Sequence, residues 1–459
     1  MDKAQDMVDR TMDFGRDRIG SLFKKLFFPT LVGMISNSVL TLIDGVFVGR
    51  GVGSDGIAAV NIVAPLFLLV TGVGLMLGIG ASVIASIRLA EKNTAGACRI
   101  MTHAVVVGTA LTFLLCLWCL AFPSLTVKVL GSSPALERYA VDYMIGLLPC
   151  FLFLFIECVG MMLIRLDGSP RYAMCCQIVA AVFNIGLDYV MVFPLGWGVA
   201  GAAIATSISA VVGGLMVLVY FVRYSTNLKF VSMLSGPHGL AGVWRNISHM
   251  SKIGFPTLLT EGAMGIMMLT GNYVFMSRLG DDGVAAYAIA CYLFPVVFSI
   301  SNAVAQSAQP IISYNYGAGA FDRVHASLRV ALFTAVLCGV IITLGMVAGS
   351  GYIVEAFLST DEAAYGLAVS GLPLFAVCAL PFAVNITFIG YYQSVEQVLR
   401  PLVYTLLRGI IFLIPAFVLL PHIIGNPGLW FAIPTAEVLT LLVIVAGYAV
   451  TRWRHAVRG

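Results

Sequence analysis

The chain has 459 residues, of which 60% are apolar and 10% charged, with a formal net charge of +4 and a mean hydropathy of +0.97. Soluble domains are nearer half apolar and a quarter charged, and a single soluble core cannot hide this much apolar surface. A water-soluble globular protein is therefore excluded, and lipid is the expected solvent.

Residues 1–24 mix both signs of charge (Asp2, Lys3, Asp6, Asp9, Arg10) and contain no short apolar core with a small-residue cleavage site. They read as a cytosolic lead-in rather than a signal peptide. Long apolar runs then predict twelve helical spans, at 25–49, 59–88, 100–122, 138–164, 171–194, 198–222, 252–277, 284–314, 324–349, 364–392, 401–421 and 427–451. A span needs roughly 20 apolar residues, and the longer runs imply tilt or extension past the bilayer. With the N-terminus inside, 21 Lys and Arg fall on the cytoplasmic side. Arg50, Lys128, Arg138 and Arg278 fall outside, and Arg408 lies within a span. That bias puts both termini in the cytoplasm and predicts a multi-pass protein of the inner membrane.

The chain repeats itself at a spacing of 227 residues. Phe28-Pro29-Thr30-Leu31 recurs as Phe255-Pro256-Thr257-Leu258, Asp55-Gly56-Ile57-Ala58-Ala59 as Asp282-Gly283-Val284-Ala285-Ala286, and the Gly198 stretch as Gly425-Asn426-Pro427-Gly428. Six spans per half is an even number, so both halves enter the membrane in the same direction and are related by an axis along its normal. The expected fold is an all-α membrane protein of two six-helix lobes with that pseudo-two-fold symmetry. The N-lobe covers 25–222, a cytosolic linker 223–251, the C-lobe 252–451 and a cytosolic tail 452–459. Duplicated halves of this kind are a transporter signature, with a substrate site between them.

Charges within spans are costly and usually face a protein interior or a cavity. They are Asp44, Glu157, Asp188, Glu261, Arg408 and Glu437. At about 1.5 Å per residue, Asp44 and Asp188 lie at similar depth in the outer half of the first lobe. Asn184 is one turn before Asp188 on the same face, and Thr206 lies in the outer half of the next span, which starts outside. Two carboxylates, an amide and a hydroxyl suit a hard cation or a proton, and the same set would serve as a structural polar network. Glu261 stands near mid-depth of span 7, opposite Met34 in the repeat. Arg408 and Glu437 read as a structural ion pair. Pro29 removes a backbone donor on the helix that carries Asp44, a candidate hinge. The glycines of Gly72-Val73-Gly74, Gly78-Ile79-Gly80 and Gly213-Gly214 read as close-packing sites.

Ten cysteines are expected to be free thiols, including Cys116-x-x-Cys119, which has redox spacing but no polar surroundings. No phosphate-binding loop and no metal-ligand cluster occurs, so neither ATP drive nor a bound cofactor is expected.

Several features together resemble the multidrug and toxic compound extrusion (MATE) family, over about residues 20–450 and in a bacterial form. They are Pro29 with Asp44 in IDGVFVGRGVG, RLDGSPR at 165–171, Asn184-x-x-x-Asp188 followed by GVAGAAIAT ending at Thr206, Phe255-Pro256 with Glu261, and Gln306, Gln309, Pro310 with Asn315-Tyr316-Gly317-Ala318. The resemblance implies two six-helix lobes forming a V around a central cavity. It implies export of amphipathic, often cationic small molecules in exchange for Na⁺ or H⁺, by a monomer in the lipid bilayer with no nucleic-acid partner and no enzymatic activity. It assigns the cation site to Asp44, Asn184, Asp188, Thr206 and, through its backbone, Ala202. Asn37 and Tyr143 match cavity-facing positions, Glu261 matches a second-lobe acid, and Gln306 and Gln309 join them as expected substrate-cavity or coupling residues. Span 10 reads PFAVNITFIGYYQSV and lacks the Asp that accompanies that acid, which favours the first lobe as the cation site. A flippase for a lipid-linked or other amphipathic metabolite is the alternative in the same superfamily. An intramembrane enzyme would need a convergent nucleophile–base set, and a channel would need a filter-like repeat. Neither is found in the sequence.

Overall fold

The computed structural model describes residues 12–52, 54–134, 136–234 and 239–458; the side chains of 41–42, 44–46, 48–52, 54–58 and 451–458 lie outside the described set. Every regular element among the described residues is helical, as a chain in hydrocarbon requires when backbone groups have no water to bond. The helices are α1 (Ile19–Val52), α2 (Ser54–Ala90), α3 (Thr94–Ala121), α4 (Pro123–Val129), α5 (Glu137–Gly146), α6 (Leu148–Leu166), α7 (Pro170–Val192) and α8 (Gly198–Val219). A π-helical turn at Tyr220–Tyr224 follows. Then come α9 (Gly239–Gly317), α10 (Phe321–Ala348), α11 (Ser350–Glu355), α12 (Ala363–Ala376), α13 (Ala379–Ser394) and α14 (Leu399–Leu406). A second π turn at Leu407–Ile411 leads to α15 (Leu413–Ile424) and α16 (Pro427–Arg458).

Ten described helices are long and apolar enough to cross a membrane, and α12 with α13, bent by 41°, makes an eleventh span. The 79-residue α9 is two spans, because Gly280 (φ 65°, ψ −154°) breaks it where only glycine fits easily. The total is the expected twelve. Exposed apolar residues face outward at helical spacing, as on α10 with Phe333, Val336, Leu337, Val340, Ile341 and Leu344. Such a stripe would aggregate in water and is at home against lipid tails. The repeat is visible in the backbone too. Lys92 (φ 59°) and Gly319 (φ 71°) end helices 227 residues apart, and Gly198 (φ 57°) and Gly425 (φ 72°) start them at the same spacing.

Two compact units result: one of residues 1–258 and 310–324, the other of 259–309 and 325–459. These differ from the half-chains read from the sequence. Helix α9 begins at Gly239, inside the stretch read as a linker, and both of its ends join the first unit. The cause is close backbone packing against α2. A Cβ on Gly80 would lie 2.1 Å from the Met250 carbonyl oxygen, and one on Gly254 would lie 1.9 Å from that of Met76. Ser86 Oγ donates to the Pro310 carbonyl at 3.2 Å, and Gly317 sits against Ile87 Cα. The segment after α8 is likewise pinned: Val231 N donates to Thr102 Oγ1, and His103 Nε2 lies 3.0 Å from the Met233 carbonyl. In the second unit, Phe275 stacks on Tyr287 at 4.5 Å and meets Trp430 edge-on at 5.0 Å.

All ten cysteines are free, with Cys116 and Cys119 buried.

Gly254→Ala is expected to lower stability by about 1–3 kcal/mol, since the clash is with backbone and not with a movable side chain. Gly262→Ala, with nothing within 4 Å, serves as the control and is expected to be neutral or slightly stabilising. Thermal unfolding of the purified variants in detergent checks both.

Candidate cation and substrate sites

In the first unit, α1 and α8 both pack along α7. Asn184 and Asp188 stand one turn apart on the buried face of α7, each 1% exposed. Asn184 Nδ2 donates to Thr206 Oγ1 at 3.2 Å, and the Thr206 hydroxyl donates to the Ala202 carbonyl at 3.0 Å. The fold thus brings together Asn184, Ala202 and Thr206, with Asp188 on the same face. One amide proton of Asn184 and the threonine proton are thus engaged within the cluster. Helix α1 carries Asp44, whose side chain lies outside the described residues. It runs unbroken through Pro29, the candidate hinge.

The remaining candidates divide between the units. Asn37 is exposed on α1, two turns before Asp44, and Tyr143 is buried on α5. Glu261, Gln306 and Gln309 are all buried on α9 within the second unit. Among the described residues, no group of three or more His, Cys, Asp or Glu gathers as a metal-binding cluster.

The second unit holds the expected ion pair. Arg408 Nη2 and Nε donate to Glu437 Oε1 at 2.8 and 3.0 Å, a two-pronged contact with both side chains almost fully buried. Asn385 Nδ2 donates to Glu437 Oε2 at 2.8 Å, and the guanidinium lies 4.4 Å above the Phe382 ring. Arg408 sits in the π turn, where the extra residue turns its side chain toward α16. A small cavity of about 20 Å³, room for about one water, touches the pair and is otherwise lined by Thr260 and by apolar residues such as Met264, Met267 and Phe294.

Sequence reading named the RLDGSPR stretch without finding its anchor. Asp167 accepts from Tyr220 Oη at 2.7 Å, Ser225 Oγ at 2.9 Å, Thr226 N at 2.9 Å and Asn227 N at 2.8 Å. One carboxylate therefore ties the α6–α7 turn to the segment that leaves α8. A comparable anchor is Arg323, whose Nη2 donates to the Phe14 and Asp17 carbonyls while its Nε donates to Asn315 Oδ1. The only signal for either was a charged residue at a helix end, which many exposed residues share.

The MatE family profile matches residues 29–190 and again 256–418, two copies that begin 227 residues apart. The chain belongs to the MATE family, a family of membrane transporters. It is 24% identical over 416 residues to the multidrug export protein MepA of Staphylococcus aureus (strain MRSA252), covering 90% of each chain. It is 25% identical over 421 residues to MepA of Staphylococcus haemolyticus, covering 91% of each. Its fold is similar to that of an outward-facing multidrug-resistance MATE transporter of the MOP superfamily, with a TM-score of 0.89 at 21% identity over 98% of this chain and 99% of the other. A MOP-superfamily transporter from Pyrococcus furiosus, described as having a binding pocket of reversed polarity, gives a TM-score of 0.86 at 21% identity over 95% and 97%.

Replacing Glu437 by Leu leaves Arg408 buried without its counter-charge and is expected to cost about 3–5 kcal/mol. The double variant Arg408→Met/Glu437→Leu is expected to recover most of that loss, which a double-mutant cycle of unfolding midpoints measures. Asp167→Ala leaves the Thr226 and Asn227 N–H groups without their acceptor and is expected to cost about 2–4 kcal/mol, read as a lowered melting temperature.

Proposed function

We propose that the chain is a secondary active exporter of amphipathic or cationic small molecules in exchange for Na⁺ or H⁺, placed in the cytoplasmic membrane with both termini in the cytoplasm. The observation that carries this reading is the cluster of buried Asn184 and Asp188 with half-buried Thr206 and the Ala202 carbonyl within apolar spans. Membership in a transporter family and the MepA relatives' designation as multidrug export proteins support it. Hard cations prefer oxygen ligands, so the cluster fits Na⁺, and its carboxylate also fits a proton. Asp44 would complete the site from α1, and Asn37, Tyr143, Glu261, Gln306 and Gln309 would line the route of the substrate. Binding of the ion neutralises carboxylate charge, changes the packing of α1 on α7, and favours release of substrate. The ion can shift the two access states only by binding one of them better. Arg408 is already matched by Glu437, so it gives no support to a basic cavity for a lipid-linked anion.

Inside-out vesicles containing the protein are expected to take up a fluorescent organic cation under an imposed Na⁺ or proton gradient. Uptake in Asp188→Asn is expected to fall to the level of empty vesicles. Wild-type uptake by Asp188→Asn under both gradients would remove the first unit's cluster from the mechanism.

A further inference from the structure

We propose that Glu157 is a proton-carrying carboxylate of the first unit, separate from the Asn184–Asp188–Thr206 cluster and seated in a notch where α6, α7 and α8 meet. The proposal rests on the reading of the chain as a cation-driven exporter and adds to it a second ionic site with a defined ion.

Glu157 is at the middle of the span-forming helix α6. Its Oε2 lies 2.9 Å from the point where a Cβ on Gly213 of α8 would stand, and the Ala180 Cβ of α7 lies 3.3 Å from that same point. Two small residues thus make room for the carboxyl group. The side chain is half-buried, and it makes no hydrogen bond or ion pair among the described residues. The titratable group that faces it from a neighbouring helix is the Cys176 thiol of α7; from α8 it meets glycine.

The internal duplication supplies the comparison. At the spacing of 227, Glu157 corresponds to Val384, Cys158 to Asn385, Ala181 to Arg408, Ala210 to Glu437 and Gly213 to Thr440. The corresponding corner of the second unit also holds a carboxylate, that of Glu437, and there a fixed arginine and an asparagine compensate it. In the first unit the arginine position is Ala181, and Glu157 has no fixed cation among the described residues. A carboxylate in an apolar span is ionised only at a high cost without a compensating charge. Compensation here must come from an exchangeable ion. A metal cation would require several oxygen ligands, whereas Gly213, Ala180 and Cys176 offer none from their side chains. A proton needs only the carboxylate, which it converts to the neutral acid.

The test is infrared difference spectroscopy of the full-length protein in nanodiscs, between acidic and alkaline buffer, for the wild type, E157Q and Ala181→Arg. The wild type is expected to show protonated-carboxyl absorption at acidic pH, with one component missing in E157Q. Ala181→Arg places a cation where the second unit has one and is expected to remove the same component by holding Glu157 ionised. Superimposable difference spectra for wild type and E157Q overturn the proposal. A wild-type melting temperature for the isosteric E157Q shows that a lost component is not the result of misfolding. Because this readout needs no transport, the two readings fail separately. Loss of the component in a protein that exports nothing under any gradient supports the proton site and overturns the exporter reading. Wild-type proton-driven export by E157Q overturns the coupling role of Glu157.

Discussion

Arg408 and Glu437 meet at 2.8 Å in an interior with no bulk water to share their charge. Their pairing displays the constraint on which the rest of the structure depends: in an apolar medium, every charge and every backbone polar group must be satisfied where it stands. The backbone meets this condition by being helical throughout the described spans. The ion pair meets it through bidentate geometry, the Asn385 amide and the face of Phe382. Asp167 meets it at a helix end by gathering four donors from one connecting segment. A deeply buried pair adds little net stability over a well-packed apolar alternative, yet breaking it is expensive. Such groups therefore fix which helices may be neighbours more than they add to overall stability.

Helix association in lipid gains little from hydrophobic burial, since lipid tails are as apolar as the side chains they would replace. Close packing takes over that role, and small residues make it feasible. Gly80 and Gly254 let α2 and α9 approach until backbone meets backbone, and Gly213 and Gly214 let α6 lie against α8. This seam explains why the compact units do not coincide with the half-chains. The ends of α9 extend far beyond what a bilayer requires, for its first limb alone, 239–279, is roughly 60 Å long at about 1.5 Å per residue. Those ends pack with the glycine-bearing helix that accommodates them.

Duplication followed by divergence gives the two units different polar interiors on one scaffold. Lys92 with Gly319 and Gly198 with Gly425 retain the same unusual backbone at the same spacing, so the helix boundaries have been kept. The side chains at the corresponding helix junctions have not. The first unit carries an amide, a hydroxyl and two acids, Asp188 and Glu157, while the second carries a compensated arginine–glutamate pair. A cation-dependent role is accordingly proposed for the first unit, and the pair in the second is a fixed internal counterpart.

Hydropathy, charge bias and the repeat made the twelve spans legible in the sequence, because the thickness of a bilayer and the cost of a charge act on each stretch of chain locally. The Arg408–Glu437 pairing and the packing role of the glycines were also legible, since few residues in a span can satisfy a buried charge or admit a close neighbour. The end of α9 was not: whether it belongs to one unit or the other depends on Met76, Met250 and Ile87, which are distant in sequence and have no special composition. Nor was Asp167, because a carboxylate at a helix end looks the same whether it meets water or four donors. The one-turn spacing of Asn184 and Asp188 could be read by counting residues, whereas the Asn184–Thr206–Ala202 chain of hydrogen bonds required two helices to be in register. The sequence by itself determined the solvent, the helices and their number, and which charges are embedded. Only the tertiary structure decided what each embedded group meets, because distance through space is set by packing between helices and not by spacing along the chain.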